Sequence, residues 1–163
     1  MNSTNCVLIG FMGSGKSTIA RAIHKENGAL AIDSDLLIAY QENLSITEIF
    51  ATKGEAYFRE LESKFCDFTA KHITHTIIAT GGGMPIFCNV KKMGKVFLLH
   101  LDFETIFTRL NNEEIAKRPL FHKKDSAFKL YKERLKIYQN SAHYTIDANK
   151  SIPNITQEIL SLL

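Results

Sequence analysis
Cysteine and proline are scarce, three of each in 163 residues, and long apolar runs are missing. Cys6, Cys66 and Cys88 are odd in number, widely spaced and free of any C-x-x-C pair. That pattern excludes a disulfide framework and predicts reduced, buried thiols in a cytoplasmic protein. No segment approaches the roughly 18 apolar residues of a membrane span. The opening "CVLIGFM" is too short for a secretory signal and is interrupted by glycine. Neither sign of charge dominates: the net charge of +3 is dispersed, so no nucleic-acid surface is expected. The six histidines lack metal-ligand spacing, which argues against zinc. With no internal repeat, low-complexity tract or Pro/Ser-rich linker, residues 1–163 are expected to form one domain acting as a monomer.

Glycine is also sparse, nine in all, yet Gly10, Gly13 and Gly15 fall on one turn in "LIGFMGSGKSTIARAI". A bend needs one or two. Residues 10–17 satisfy G-x-x-x-x-G-K-[ST], preceded by an apolar run and followed by a helical one. In that context the glycines let main-chain N–H groups converge on phosphate oxygens, and the helix start adds its dipole to the same anion site. Gly13, Ser14, Gly15, Lys16, Ser17 and Thr18 lie on this candidate nucleotide-phosphate loop, with Lys16 placed for the β- and γ-phosphates and Ser17 for Mg²⁺.

Short apolar runs at 6–10, 29–33, 76–80, 96–101 and 144–147 read as buried strands. Helical patterns separate them: "KSTIARAIHKEN", "LLIAYQEN", "SITEIFA", "EAYFRELESKFCDFTAKH", "FETIFTRLNN", "AFKLYKERLKIYQN" and "IPNITQEILSLL". Ser45 and Glu48 form a capping box, and Asp102 and Asp125 are placed as N-caps. Phe58, Leu61, Phe65 and Phe68 form a core-facing stripe. Strands alternating with helices predict an α/β fold, a three-layer α/β/α sandwich on a parallel sheet.

The guanine-reading N-K-x-D of a GTPase is absent, and the length suits a small kinase, which needs a metal-organising carboxylate, an acceptor pocket and mobile positive charge. "AIDSDLL" places Asp33 and Asp35 past the end of a strand, where ligands gather in open α/β sheets. The outer carboxylate suits water-mediated Mg²⁺ and the other the acceptor hydroxyl; either alone also reads as a helix cap. "IIATGGGMP" sets Gly81, Gly82 and Gly83 directly after a strand, a place for close ligand approach. Arg59 has Glu62 three residues on, able to orient it; Arg118 lies in a polar, lid-like segment at about 112–125 stiffened by Pro119; Arg134 lies on the following helix. Two guanidinium forks converging on a small pocket suit a carboxylate, although each arginine alone also reads as solvated surface.

The series "IGFMGSGKST", "DSD", "EIFATKGEAYFRELE", "TGGG", "RPL" and "YKER" resembles the shikimate kinase family, small P-loop kinases of the nucleoside-monophosphate-kinase type, over nearly the whole chain. The resemblance implies a five-stranded sheet of order 2-3-1-4-5 with a mobile lid. It implies ATP- and Mg²⁺-dependent phosphorylation of the 3-hydroxyl of shikimate, toward chorismate and the aromatic amino acids. Carried over by position, Lys16, Asp35 and Arg118 are catalytic, with Arg118 swinging in on the lid. Ser17 holds Mg²⁺ with Asp33 in its outer shell, and Arg109 stacks on adenine. Asp35, Arg59, Gly81, Gly82 and Arg134 bind shikimate, between walls formed by Met12, Phe50, Phe58 and Leu120. One departure is an arginine common after the last strand, where this chain reads "DANKSIP" and offers Lys150. The alternatives are a gluconate or nucleotide kinase of the same fold, and a nucleotide-binding module without catalysis.

Overall fold
A computed structural model describes residues 4–109 and 123–163. β1 (Cys6–Ile9), β2 (Leu30–Asp33), β3 (Thr76–Ala79), β4 (Lys95–His100) and β5 (Tyr144–Asp147) form one parallel sheet of order β2-β3-β1-β4-β5. Cys6 pairs with Ile77 on one side and Lys95 on the other. Around the sheet lie α1 (Lys16–Asn27), α2 (Ser34–Glu42), α3 (Ile46–His72), the short α4 (Met84–Phe87), α5 (Phe103–Arg109), α6 (Lys124–Ser141) and α7 (Ile152–Leu162). Every residue of β1 and β3 is buried. Successive strand side chains point to opposite faces, so both faces are covered, as a three-layer sandwich requires. The chain leaves β1 for β2 on one side and reaches β4 on the other, and the crevice at that reversal is where such folds place ligands.

Local chemistry explains most boundaries. The capping box at Ser45 forms as expected, and Asp102 caps α5 by accepting from Thr105 N at 2.9 Å. α3 runs as two helical stretches that meet at Gly54, whose φ of 83° and ψ of 167° interrupt it.

Several expectations are corrected. Asp125 is not an N-cap: Lys123 holds that place, and Asp125 lies in the first turn of α6, where its charge still meets the positive helix end. Phe68 is 57% exposed and packs on His72 of its own helix, so the core-facing stripe ends before it. β2 and β5 are edge strands, only partly buried. Cys6 and Cys66 are buried free thiols, whereas Cys88 is half-buried. α4 and a 3₁₀ turn (Val90–Met93) were not legible as elements. Arg118, Leu120 and the lid as far as 122 lie outside the described residues, and the expected lid's last two residues, Lys124 and Asp125, already belong to α6. No helix among the described residues is long and apolar enough to cross a membrane.

Candidate active site
The phosphate loop joins β1 to α1. Gly15 takes φ of 91° at the N-cap, so the turn into α1 needs the left-handed conformation that glycine adopts freely. Lys16 Nζ donates to the carbonyls of Gly10 at 2.9 Å and Phe11 at 3.0 Å, folding its ammonium over the loop. The Ser17 hydroxyl donates to Asp33 Oδ2 at 2.6 Å, while Asp33 Oδ1 accepts from the backbone N–H of Asp35 and Leu36. One oxygen of Asp33 thus caps α2, as the helix-cap reading expects, and the other faces the Ser17 hydroxyl.

The turn at 81–83 is where several candidate residues meet. Gly81 N donates to the buried Ser34 hydroxyl at 2.9 Å, which ties the turn to the start of α2. A methyl group placed on Gly81 would collide with Asp35 Oδ1, and one on Gly83 with the Arg59 guanidinium. On Gly82 it would lie 3.7 Å from Met12 N and 3.8 Å from Gly10 O, against the phosphate loop. Three adjacent glycines thus abut the Asp35 carboxylate, the nucleotide loop and an arginine. Side chains on them would fill the space.

Arg59 Nη1 donates to Glu62 Oε2 at 2.6 Å. Its guanidinium also lies 4.4 Å from the centre of the Phe87 ring, with Phe58 and Phe50 at 5.3 and 5.7 Å. Glu62 is fully buried, and burial pushes its carboxyl up to about 7 against the opposing pull of Arg59; Asp35 adds to the rise and Arg134 opposes it. Asp35, Arg59 and Arg134, drawn from α2, α3 and α6, therefore share one electrostatic neighbourhood. Arg134 also lies beside Tyr138, whose hydroxyl donates to Gly82 O at 2.5 Å. Glu62 Oε1 and Arg134 Nε are buried with no hydrogen-bond partner among the described residues. Buried polar atoms left so are costly, and a polar ligand is one way to satisfy them.

A model of the shikimate kinase family matches residues 12–163. The shikimate kinase of Helicobacter hepaticus is 42% identical over 159 residues, 98% of this chain and 95% of that protein. The chain belongs to the shikimate kinase family. The Sulfurihydrogenibium sp. shikimate kinase is 37% identical, covering 96% of each chain. Among solved structures, the Acinetobacter baumannii shikimate kinase in complex with shikimate superposes with a TM-score of 0.86 at 30% identity, covering 99% of this chain and 93% of that one. A deoxyadenosine kinase from M. mycoides, at 17% identity and a TM-score of 0.66, shares the fold alone.

As in any kinase of this family, the chemistry uses a nucleotide. The remaining expected residues are placed less tellingly. Arg109 ends α5 and is exposed, and Lys150 pairs with Glu158 at 2.8 Å. Phe50 and Phe58 pack around Arg59, and Met12 packs on the core. Sequence reasoning missed Glu55, Phe87 and Tyr138. Glu55 and Tyr138 each lie four residues along a helix from a candidate arginine, a spacing that would have found them; Phe87 had no such signal. A broad hollow of about 590 Å³ beside Asn5, Lys95 and Tyr144 lies at the amino ends of the strands, the wrong end for this chemistry.

Proposed function
We propose that this chain transfers the γ-phosphoryl group of ATP to the 3-hydroxyl of shikimate, as one domain spanning 1–163 and acting as a cytoplasmic monomer. The turn at 81–83 carries the reading. It touches the phosphate loop through Gly82, the Asp35 carboxylate through Gly81 and the Arg59 guanidinium through Gly83.

On the nucleotide side, Gly13, Ser14, Gly15, Lys16, Ser17 and Thr18 cradle the phosphates. The Ser14 hydroxyl is buried without a hydrogen-bond partner among the described residues, a donor for which a phosphate oxygen is a natural acceptor. Ser17 and Asp33 offer hard oxygen ligands 2.6 Å apart, a set that fits Mg²⁺. Ser17 would hold the ion directly and Asp33 through water. Bound there, Mg²⁺ supplies charge neutralisation on the β- and γ-phosphoryl oxygens. Lys16 leaves its loop carbonyls for those oxygens, Arg109 stacks on adenine with Lys150 nearby in sequence to the last strand, and Arg118 adds positive charge over the transferring group.

On the acceptor side, Arg59 and Arg134 hold the carboxylate of shikimate, and the backbone of Gly81 and Gly82 lies against its ring. Asp35 orients the 3-hydroxyl and receives its proton as the oxygen bonds to phosphorus. The test is a coupled assay of ADP release with ATP and Mg²⁺ across shikimate, gluconate and nucleoside monophosphates. Release with shikimate alone is expected. Turnover of another acceptor alone would reassign the substrate, and none with any acceptor would leave a nucleotide-binding module.

A further inference from the structure
Arg59 is enclosed on every side but one. Its Nη1 is held by the buried Glu62, its terminal nitrogens lie against Gly83, and the rings of Phe87, Phe58 and Phe50 pack around its guanidinium carbon. The remaining edge carries Nε and Nη2, and that edge is filled. Glu55 Oε1 accepts from Nε at 3.1 Å and from Nη2 at 2.8 Å. Glu55 is 58% exposed, whereas Glu62 is fully buried, so one carboxylate on Arg59 is built in and the other reaches it from solvent. A carboxylate resting on two N–H groups of one guanidinium is the contact an acidic ligand would make there.

We propose that Glu55 is an internal stand-in for the carboxylate of the acceptor, occupying Arg59 in the empty site and leaving when the acceptor binds. This deepens the function proposed above and rests on its assignment of Arg59. The consequence is a filter. An acceptor with a carboxylate replaces one ion pair by another, whereas a neutral polyol leaves Glu55 in place and gains nothing from Arg59. The displaced side chain has a second favourable setting. Gly54 interrupts α3, so Glu55 opens a new helical stretch whose first N–H groups attract negative charge. Glu62 stays bonded to Nη1 throughout, so Arg59 keeps its place while its partner on the other edge changes.

The experiment compares shikimate affinity, by calorimetry without nucleotide, in the parent chain, Glu55→Gln, Glu55→Ala and Arg59→Ala. Exposed helical ion pairs are weak, so both Glu55 variants should bind shikimate about two- to five-fold more tightly. ATP affinity should not follow. A Glu55 that merely braces Arg59 would give the opposite sign, because its loss would weaken shikimate binding. Unchanged or weaker binding in both Glu55 variants, with Arg59→Ala weakening it as expected, overturns the stand-in alone. If Arg59→Ala leaves shikimate binding untouched, the assignment of Arg59 falls and the stand-in with it.

Discussion

Burial holds the Glu62 carboxyl near pH 7 although an arginine bonds it at 2.6 Å, because the desolvated charge costs more than a single partner returns. Its folded pKa of about 7 stands above the ordinary 4.5, so between those values the folded chain binds more protons than the unfolded one. The linked stability is fully present below about 4.5 and is lost as pH rises through about 7. Glu62→Gln should therefore flatten the fall of melting temperature across that window; an unchanged slope would place its origin elsewhere. Gly83 illustrates the opposite kind of constraint. Its φ of −89° and ψ of −24° suit any residue, so Gly83→Ala spares the backbone and acts only by driving a methyl into the clamped Arg59. Shikimate affinity should drop about tenfold, the value of one good charge-assisted contact, with ATP affinity held. Equal losses for both ligands would indicate general damage instead.

Elements owe their ends to local rules and their placement to long-range ones. The capping box of α3 and the Asp102 cap of α5 were readable because side chain and backbone partners sit three residues apart. Asp125 misled because a carboxylate serves the first turn of a helix as well as its cap. Phe68 misled because helical spacing gives the face of a residue and not what lies opposite it. Asn5 shows what spacing cannot reveal. Its side chain donates to Ile73 O at 2.7 Å and Met93 O at 2.8 Å and accepts from Thr76 N at 3.0 Å, joining three segments at the amino ends of the strands. Asn5→Ala leaves all three groups without that partner, and a loss of about 2–4 kcal/mol is expected in chemical denaturation. A loss below about 0.5 kcal/mol, within the range of an ordinary surface change, would show that water replaces the side chain.

Across the whole molecule, α6 is what packs against the glycine turn. Tyr138, 1% exposed, donates to Gly82 O and lies beside Arg134, so one phenol ties down the glycine turn next to an arginine. Burial pushes its hydroxyl up to about 12, which keeps it a neutral donor at physiological pH. Tyr138→Phe should cost about 1–2 kcal/mol of stability and weaken shikimate binding several-fold. Unaltered affinity would confine Tyr138 to a packing role. The phosphate loop, the strands and the order of the motifs were determined by the sequence alone, because a glycine pattern or an apolar period acts over a few neighbouring residues. Only the tertiary structure decided that Glu62 feels the charges of both Asp35 and Arg134, that Gly82 lies against the phosphate loop, and that Glu55 rests on Arg59. Electrostatic neighbourhood and steric contact depend on distance in space, and Asp35 and Arg134 come to act on the same buried carboxyl, Glu62, only when the parallel sheet brings the ends of its strands together.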